Sequence, residues 1–154
     1  MLTTAAADVQ QAVGILDGWL SAHPDEPLAP VMWQYLGDIH FFYRNDDGAA
    51  LDAYLAADRL GVLWASREGQ LWWRMAVLAE RLKRTEVAIA FYRKICTDAQ
   101  TSGRAFEAQL ALARLGVEPP ELTAFASYEG PRPDFSDAAA PIVAPAPPAP
   151  SGAP

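Results

Sequence analysis

The sequence is short of cysteine and of long apolar runs, and each shortage excludes a class of protein. Cys96 is the one cysteine among 154 residues, so the chain cannot form an internal disulfide. No apolar run approaches the length of about 18 residues that a membrane-spanning helix needs. The first residues lack the basic start that opens a signal peptide. The sequence therefore predicts a cytoplasmic protein without a transmembrane segment, and leaves open its attachment to a membrane complex through a partner.

Positive charge is also scarce, and its distribution is uneven. The formal net charge of −7 argues against nucleic-acid binding, which needs a basic surface to neutralise phosphates. Up to Asp58 there are nine acidic residues and a single base, Arg44, whereas Arg59 to Arg114 holds ten bases and five acids. This asymmetry indicates either a molecular dipole that steers a partner or a second copy head to tail, or solvated faces without a role in binding. The two lysines, against ten arginines, and the abundant alanine are typical of a GC-rich bacterial genome.

The prolines divide the chain into two parts. Ten of the thirteen prolines lie at or beyond Pro119, and the sequence from Pro131 onward has no apolar periodicity. Such a composition favours extended, partly polyproline II backbone. Gly116, just before the Pro119–Pro120 pair, is a candidate helix C-cap. The sequence predicts a helical domain over 1–118 and an extended Pro/Ala-rich tail over 119–154.

The helical part repeats itself with a period of 38 residues. Apolar stripes at offsets 0, 4 and 7, each one face of a helix, recur three times: Ala12–Leu16–Trp19, Ala50–Tyr54–Ala57 and Ala88–Tyr92–Ile95. The last two are each preceded by a second kind of stripe: Trp33–Leu36–Gly37–His40 and Trp72–Met75–Ala76–Ala79. Small residues in these stripes allow two helix backbones to approach closely. The pattern predicts helix–turn–helix units, with polar turns at 44–48 and 81–85.

A last helix is predicted over 103–116. It carries Phe106, Leu110 and Ala113 at the same offsets and is expected to cap the stack, because one face of a terminal helix meets water. The predicted fold is an all-α solenoid of about six helices.

The strings "WQYLGDIH…ALDAYLAA" (33–57) and "WWRMAVLA…AIAFYRKI" (72–95) resemble the tetratricopeptide repeat. The resemblance covers roughly residues 10 to 115 and implies a concave groove lined by first-helix residues. In the register of this chain, these residues are Gln34, Asp38, Trp73 and Val77. The lysine and asparagine with which some members of the family bind chaperone C-termini are absent from these positions, so that function is not expected.

Candidate chemical sites were weighed against packing roles. His40 lies on an apolar stripe without a second histidine at ligand spacing, so we interpret it as a packing substitute for the repeat tyrosine. Cys96 is interpreted as a packing residue, and Asp46 or Asp47 as a helix cap. A small-molecule or enzyme site using His40, Asp38 and Trp73 remains a remote alternative. We expect no enzyme activity, metal or cofactor.

The function that the sequence favours is protein–protein interaction. Trp72 fills the packing stripe, so the adjacent Trp73 points about 100° away, toward the groove. We expect a small accessory or scaffold subunit of a larger bacterial assembly that holds its partner with the groove and the tail. The apolar residues spaced along the tail are its expected anchors: Phe125, Tyr128, Phe135 and Ile142. The alternative is a soluble adaptor or chaperone that binds a peptide in the groove.

Overall fold

The protein is all-α over the residues that the structure, a computed structural model, describes: 4–61 and 69–125. Six α-helices lie in these ranges: α1 Thr4–Ala22, α2 Ala29–Ile39, α3 Asp47–Leu60, α4 Gln70–Arg81, α5 Thr85–Asp98 and α6 Gly103–Arg114. The predicted fold class, a short helical solenoid, is confirmed for these residues. Within the same ranges, no helix is long and apolar enough to span a membrane.

Local sequence signals set several of the helix ends. The Asp46 side chain caps α3 by accepting a hydrogen bond from the Ala49 N–H at 3.0 Å, as the sequence predicts for this turn. Gly116 follows α6 with a φ of +74°, a conformation that glycine adopts without strain. The predicted C-cap is therefore confirmed.

The helices pack in the predicted pairs, α2 with α3 and α4 with α5, while α1 packs on α2 and α6 on α5. The α2–α3 pair shows why its seam needs a glycine. A Cβ atom built on Gly37 would lie 2.5 Å from Cε1 of the fully buried Tyr54, well inside normal contact distance. The missing side chain lets the tyrosine ring lie directly on the α2 backbone.

The core has two parts. The larger cluster joins α3, α4, α5 and α6, and the smaller one lies where α1 and α3 meet α2. Trp33 of α2 packs against both clusters, so it links the first pair of helices to the rest of the stack.

The final helix caps the stack through a different face from the one that its stripe suggested. Ala105, Ala108 and Leu112 are the residues buried against the preceding helices. Phe106 and Leu110 are instead 62% and 57% exposed. The physical reason is that α6 has neighbours on one side only among the described residues, so its second apolar face has nothing to pack against.

The segment after α6 turns back along that helix. Gln109 Nε2 donates to the Pro120 carbonyl at 2.8 Å, and the Ala124 N–H donates to Gln100 Oε1 at 2.9 Å. A short 3₁₀ turn, Thr123–Phe125, follows. The division of the chain at residue 118 stays a prediction. Of the expected tail anchors, the Phe125 side chain and all of Tyr128, Phe135 and Ile142 lie outside the described residues.

Candidate functional site

An open groove lies beside Trp73, between the π-helical turn that ends α2, helix α4 and the start of α6. Its volume is about 250 Å³. The lining residues combine apolar side chains with three arginines: Phe41, Gln70, Trp73, Arg74, Val77, Leu78, Arg81 and Arg104. Trp73 and Val77 therefore lie where the sequence places them. Gln34, half-buried on α2, and Asp38 are not among the lining residues.

Trp73 forms one wall of the groove and also packs on the next helix pair. Its ring lies 5.3 Å from that of Tyr92 on α5, and the Arg104 guanidinium lies 5.1 Å from the Trp73 ring centre. The adjacent Trp72 is only 7% exposed and donates its Nε1–H to Asp58 Oδ1 at 2.8 Å. One tryptophan thus serves the core and the other faces the groove, as expected from the 100° step of a helix.

Arg74 is the polar centre of the groove. Its Nη1 donates to Asp38 Oδ1 at 2.8 Å and to the Tyr54 hydroxyl oxygen at 3.0 Å. The Tyr54 hydroxyl in turn donates to Asp38 at 2.6 Å. The guanidinium also lies 5.3 Å from the Phe41 ring centre and 5.0 Å from that of Phe42, within cation–π range. Asp38 therefore acts at one remove, by fixing the arginine that faces the groove.

The same three-residue arrangement occurs again one unit later, and the sequence analysis missed it. The Tyr92 hydroxyl donates to Glu80 Oε1 at 2.5 Å, and Arg114 Nη2 donates to both Glu80 oxygens at 2.8 and 2.9 Å. Burial raises the pKa of Tyr92 and also that of Tyr54, and the hydrogen bond to a carboxylate raises both further. Both tyrosines therefore stay protonated as hydrogen-bond donors. The 38-residue spacing of these tyrosines was the available signal.

The uneven charge distribution has a structural explanation in these contacts. Acids of one unit pair with bases of the next: Asp38–Arg74, Asp47–Arg81, Asp52–Arg84, Asp58–Lys94 and Glu80–Arg114. The partners are between 32 and 36 residues apart, close to one repeat. Four acids of the acidic half are thus paired with bases of the basic half. The asymmetry is used inside the molecule, which weakens its interpretation as a steering dipole.

His40 opens the π-helical turn His40–Arg44 and does not line the groove. It is 9% exposed, and its Nδ1 atom has no hydrogen-bond partner. Burial, with the Arg44 charge nearby, lowers the pKa of its imidazole. Within the described residues there is no group of three His, Cys, Asp or Glu side chains that could hold a metal ion.

Cys96 is fully buried, and its thiol lies 3.6 Å from the Ala105 carbonyl oxygen. Burial raises the pKa of this thiol, which disfavours the reactive thiolate. The residue packs α5 against α6 and is far from the electropositive, exposed setting of a reactive cysteine.

Comparison with known proteins gives no relative from which a role could be transferred. No family model matches the chain, and neither a curated protein nor a solved structure matches it.

Proposed function

We propose that the protein is a non-enzymatic interaction module that holds a segment of a protein partner in the Trp73 groove. The observation that carries the proposal is the combination of a half-buried tryptophan with three arginines in one open groove. Tryptophan and arginine are the residues most often found at energetic centres of protein interfaces. Membership of the tetratricopeptide repeat family is part of the same proposal, supported by the helix pairs and by the small residue at the α2–α3 seam.

The groove residues indicate the chemistry of the partner. Arg74, Arg81 and Arg104 each have an ion-pair partner in the protein, yet their side chains remain 32%, 56% and 31% exposed. A guanidinium has five N–H donors, so each arginine keeps donors for a further acceptor. Together with Trp73 and Val77, they favour a segment that presents carboxylates beside an aromatic or aliphatic side chain.

The same residues argue against the remote alternative of an enzyme site. A general base or nucleophile must lie within hydrogen-bond reach of a bound substrate. The groove is lined by no histidine, cysteine or carboxylate, and His40 lies outside it. We therefore place the protein as a small accessory or scaffold subunit of a larger bacterial assembly, with the C-terminal tail as a second contact to the partner.

The test is quantitative co-purification from the native host with matched charge reversals. Arg81→Glu changes the groove, whereas Arg93→Glu changes an exposed arginine of α5 that does not line it. We expect the partner to be lost with Arg81→Glu and with Trp73→Ala, and retained with Arg93→Glu.

Removal of residues 126–154 tests the tail without disturbing the segment that packs on α6. Recovery of the same proteins at the same levels with all four variants would refute the proposal. Recovery of many unrelated proteins, each lost with Arg81→Glu, would favour the adaptor or chaperone alternative.

A further inference from the structure

The outer face of α6 carries an apolar stripe that no described helix covers. Phe106 and Leu110 are 62% and 57% exposed, and Ala113 beside them is also exposed. The opposite face of the helix is buried through Ala105 and Leu112, both of which are fully inaccessible. The helix therefore has two apolar faces and uses only one.

The internal repeat shows what belongs on the unused face. Each residue of the stripe lies 34 positions after one in α4: Trp72, Ala76 and Ala79. In α4 these residues are 7%, 0% and 0% exposed, because α4 packs mainly against α5. Lys94 of α5 lies 4.6 Å from the Trp72 ring centre. By this register, α6 is the first helix of a unit whose second helix is missing among the described residues.

Helix α1 presents the opposite case. Val13 and Leu20 are buried in the small core cluster, 38 residues before Leu51 and Asp58 of α3. Leu51 is fully buried in the large cluster, and Asp58 bonds Trp72 of α4, so this side of a second helix meets the following unit.

The other side of a second helix meets its own first helix, and in α1 that side is open. Ile15 of α1 is 63% exposed, whereas its counterpart Ala53, 38 residues later, is 3% exposed and clusters with Leu36 of α2. Helix α1 is therefore a second helix whose first helix is missing among the described residues.

A hollow beside this open side could receive a large apolar residue. Its volume is about 230 Å³, and Val9, Ala12, Ile39 and Tyr43 form its apolar lining, with Asp8 at its edge. Tyr43 is 70% exposed at the rim. The hollow lies between α1 and the end of α2, where the first helix of a preceding unit would run.

We propose that a second copy of this chain fills both vacancies. Helix α6 of one copy packs against α1 of the next, and together they form the unit that neither copy completes alone. The opposed registers of the two open faces carry this choice of occupant. The charges agree with it, since α1 holds two acids and no base, while α6 holds two arginines and one glutamate.

The contact joins two different surfaces, so copies assemble head to tail into an open chain or a ring. It leaves the Trp73 groove free and does not depend on the proposed function.

The test is sedimentation velocity of the full chain over a concentration series, with one variant for each face. The wild type is expected to grow beyond the dimer as concentration rises. Leu110→Asp blocks the α6 face and Ile15→Asp the α1 face, and each change is expected to weaken self-association at least about tenfold. An equimolar mixture of the two variants still contains one intact face of each kind. The mixture is therefore expected to form a heterodimer that does not grow further.

Leu28→Asp is the matched control, because this leucine is 55% exposed and lies outside both stripes. It is expected to assemble like the wild type, and circular dichroism checks that all variants keep their helices. A wild-type chain that stays monomeric at every concentration would overturn the proposal. So would a dimer formed by either face variant alone, which would indicate a two-fold contact. Assembly only after removal of residues 126–154 would assign the α6 face to the C-terminal segment of the same chain and would also overturn it.

Discussion

The substitution Gly37→Ala tests whether the spacing of α2 and α3 depends on an absent side chain. A Cβ atom at position 37 would lie 2.5 Å from Cε1 and 2.6 Å from Cδ1 of Tyr54, whereas ordinary contact begins at 3.4 Å. The ring cannot swing aside, because it is fully buried and Asp38 accepts a hydrogen bond from its hydroxyl at 2.6 Å. The two helices must therefore separate by roughly 1 Å to restore normal contact.

The expected cost follows from two opposing effects. Overpacking a close-packed core costs about 1–3 kcal/mol, while replacing glycine by alanine inside a helix returns about 1 kcal/mol. We expect Gly37→Ala to lower the free energy of unfolding by about 1–2 kcal/mol. The matched control is Gly18→Ala in α1, where a Cβ atom would meet nothing within 4 Å. That change is expected to raise the free energy of unfolding by up to about 1 kcal/mol.

Urea unfolding followed by far-ultraviolet circular dichroism measures both changes. The comparison is valid if the dependence of the free energy on urea is the same for the three proteins, so that the midpoints report stability. Opposite signs for the same substitution are the expected result. A Gly37→Ala variant as stable as the wild type would refute the argument that the close approach of these helices requires glycine.

Three further predictions concern buried polar groups. Asp58→Ala removes the acceptor of the buried Trp72 Nε1–H and is expected to cost about 1–3 kcal/mol in urea unfolding, whereas Asp52→Ala, at an exposed ion pair, costs at most about 1 kcal/mol; equal costs would contradict the assignment. Burial lowers the pKa of His40 in the fold, so the unfolded chain binds more protons below its ordinary value of 6.5; stability should fall as pH drops through that range, and less steeply in His40→Leu. The Cys96 thiol should react with iodoacetamide only at the rate of unfolding, and rapid labelling of the native protein would contradict its burial.

Much of the fold could be predicted because its signals are local. The offsets of the apolar stripes determine helix faces, and the turn chemistry of Asp46 and Gly116 determines helix ends, since both depend on neighbouring residues. The pairing of α2 with α3 followed from the repeat, which places a small residue opposite a tyrosine. The assignment of Trp73 to the groove followed from its adjacency to Trp72.

The polar part of the candidate site could not be predicted in the same way. Arg74 faces the groove because Asp38 and Tyr54, on two other helices, bind its guanidinium. The offsets of the sequence identify a surface position, but they do not show which distant charge lies beside it. The orphaned Nδ1 atom of His40 in its π-helical turn likewise depends on the packing around it.

The sequence by itself determined the helices, their pairing and the small residues at their seams, because a helix face is a property of residues three and four apart. Only the tertiary structure decided which apolar faces are used. Phe106 and Trp72 occupy equivalent positions of the repeat, yet one is exposed and the other buried. The difference is the neighbour: α5 covers Trp72, and no described helix covers Phe106. Burial is a property of the partner surface as well as of the residue, and a single helix does not encode its partner.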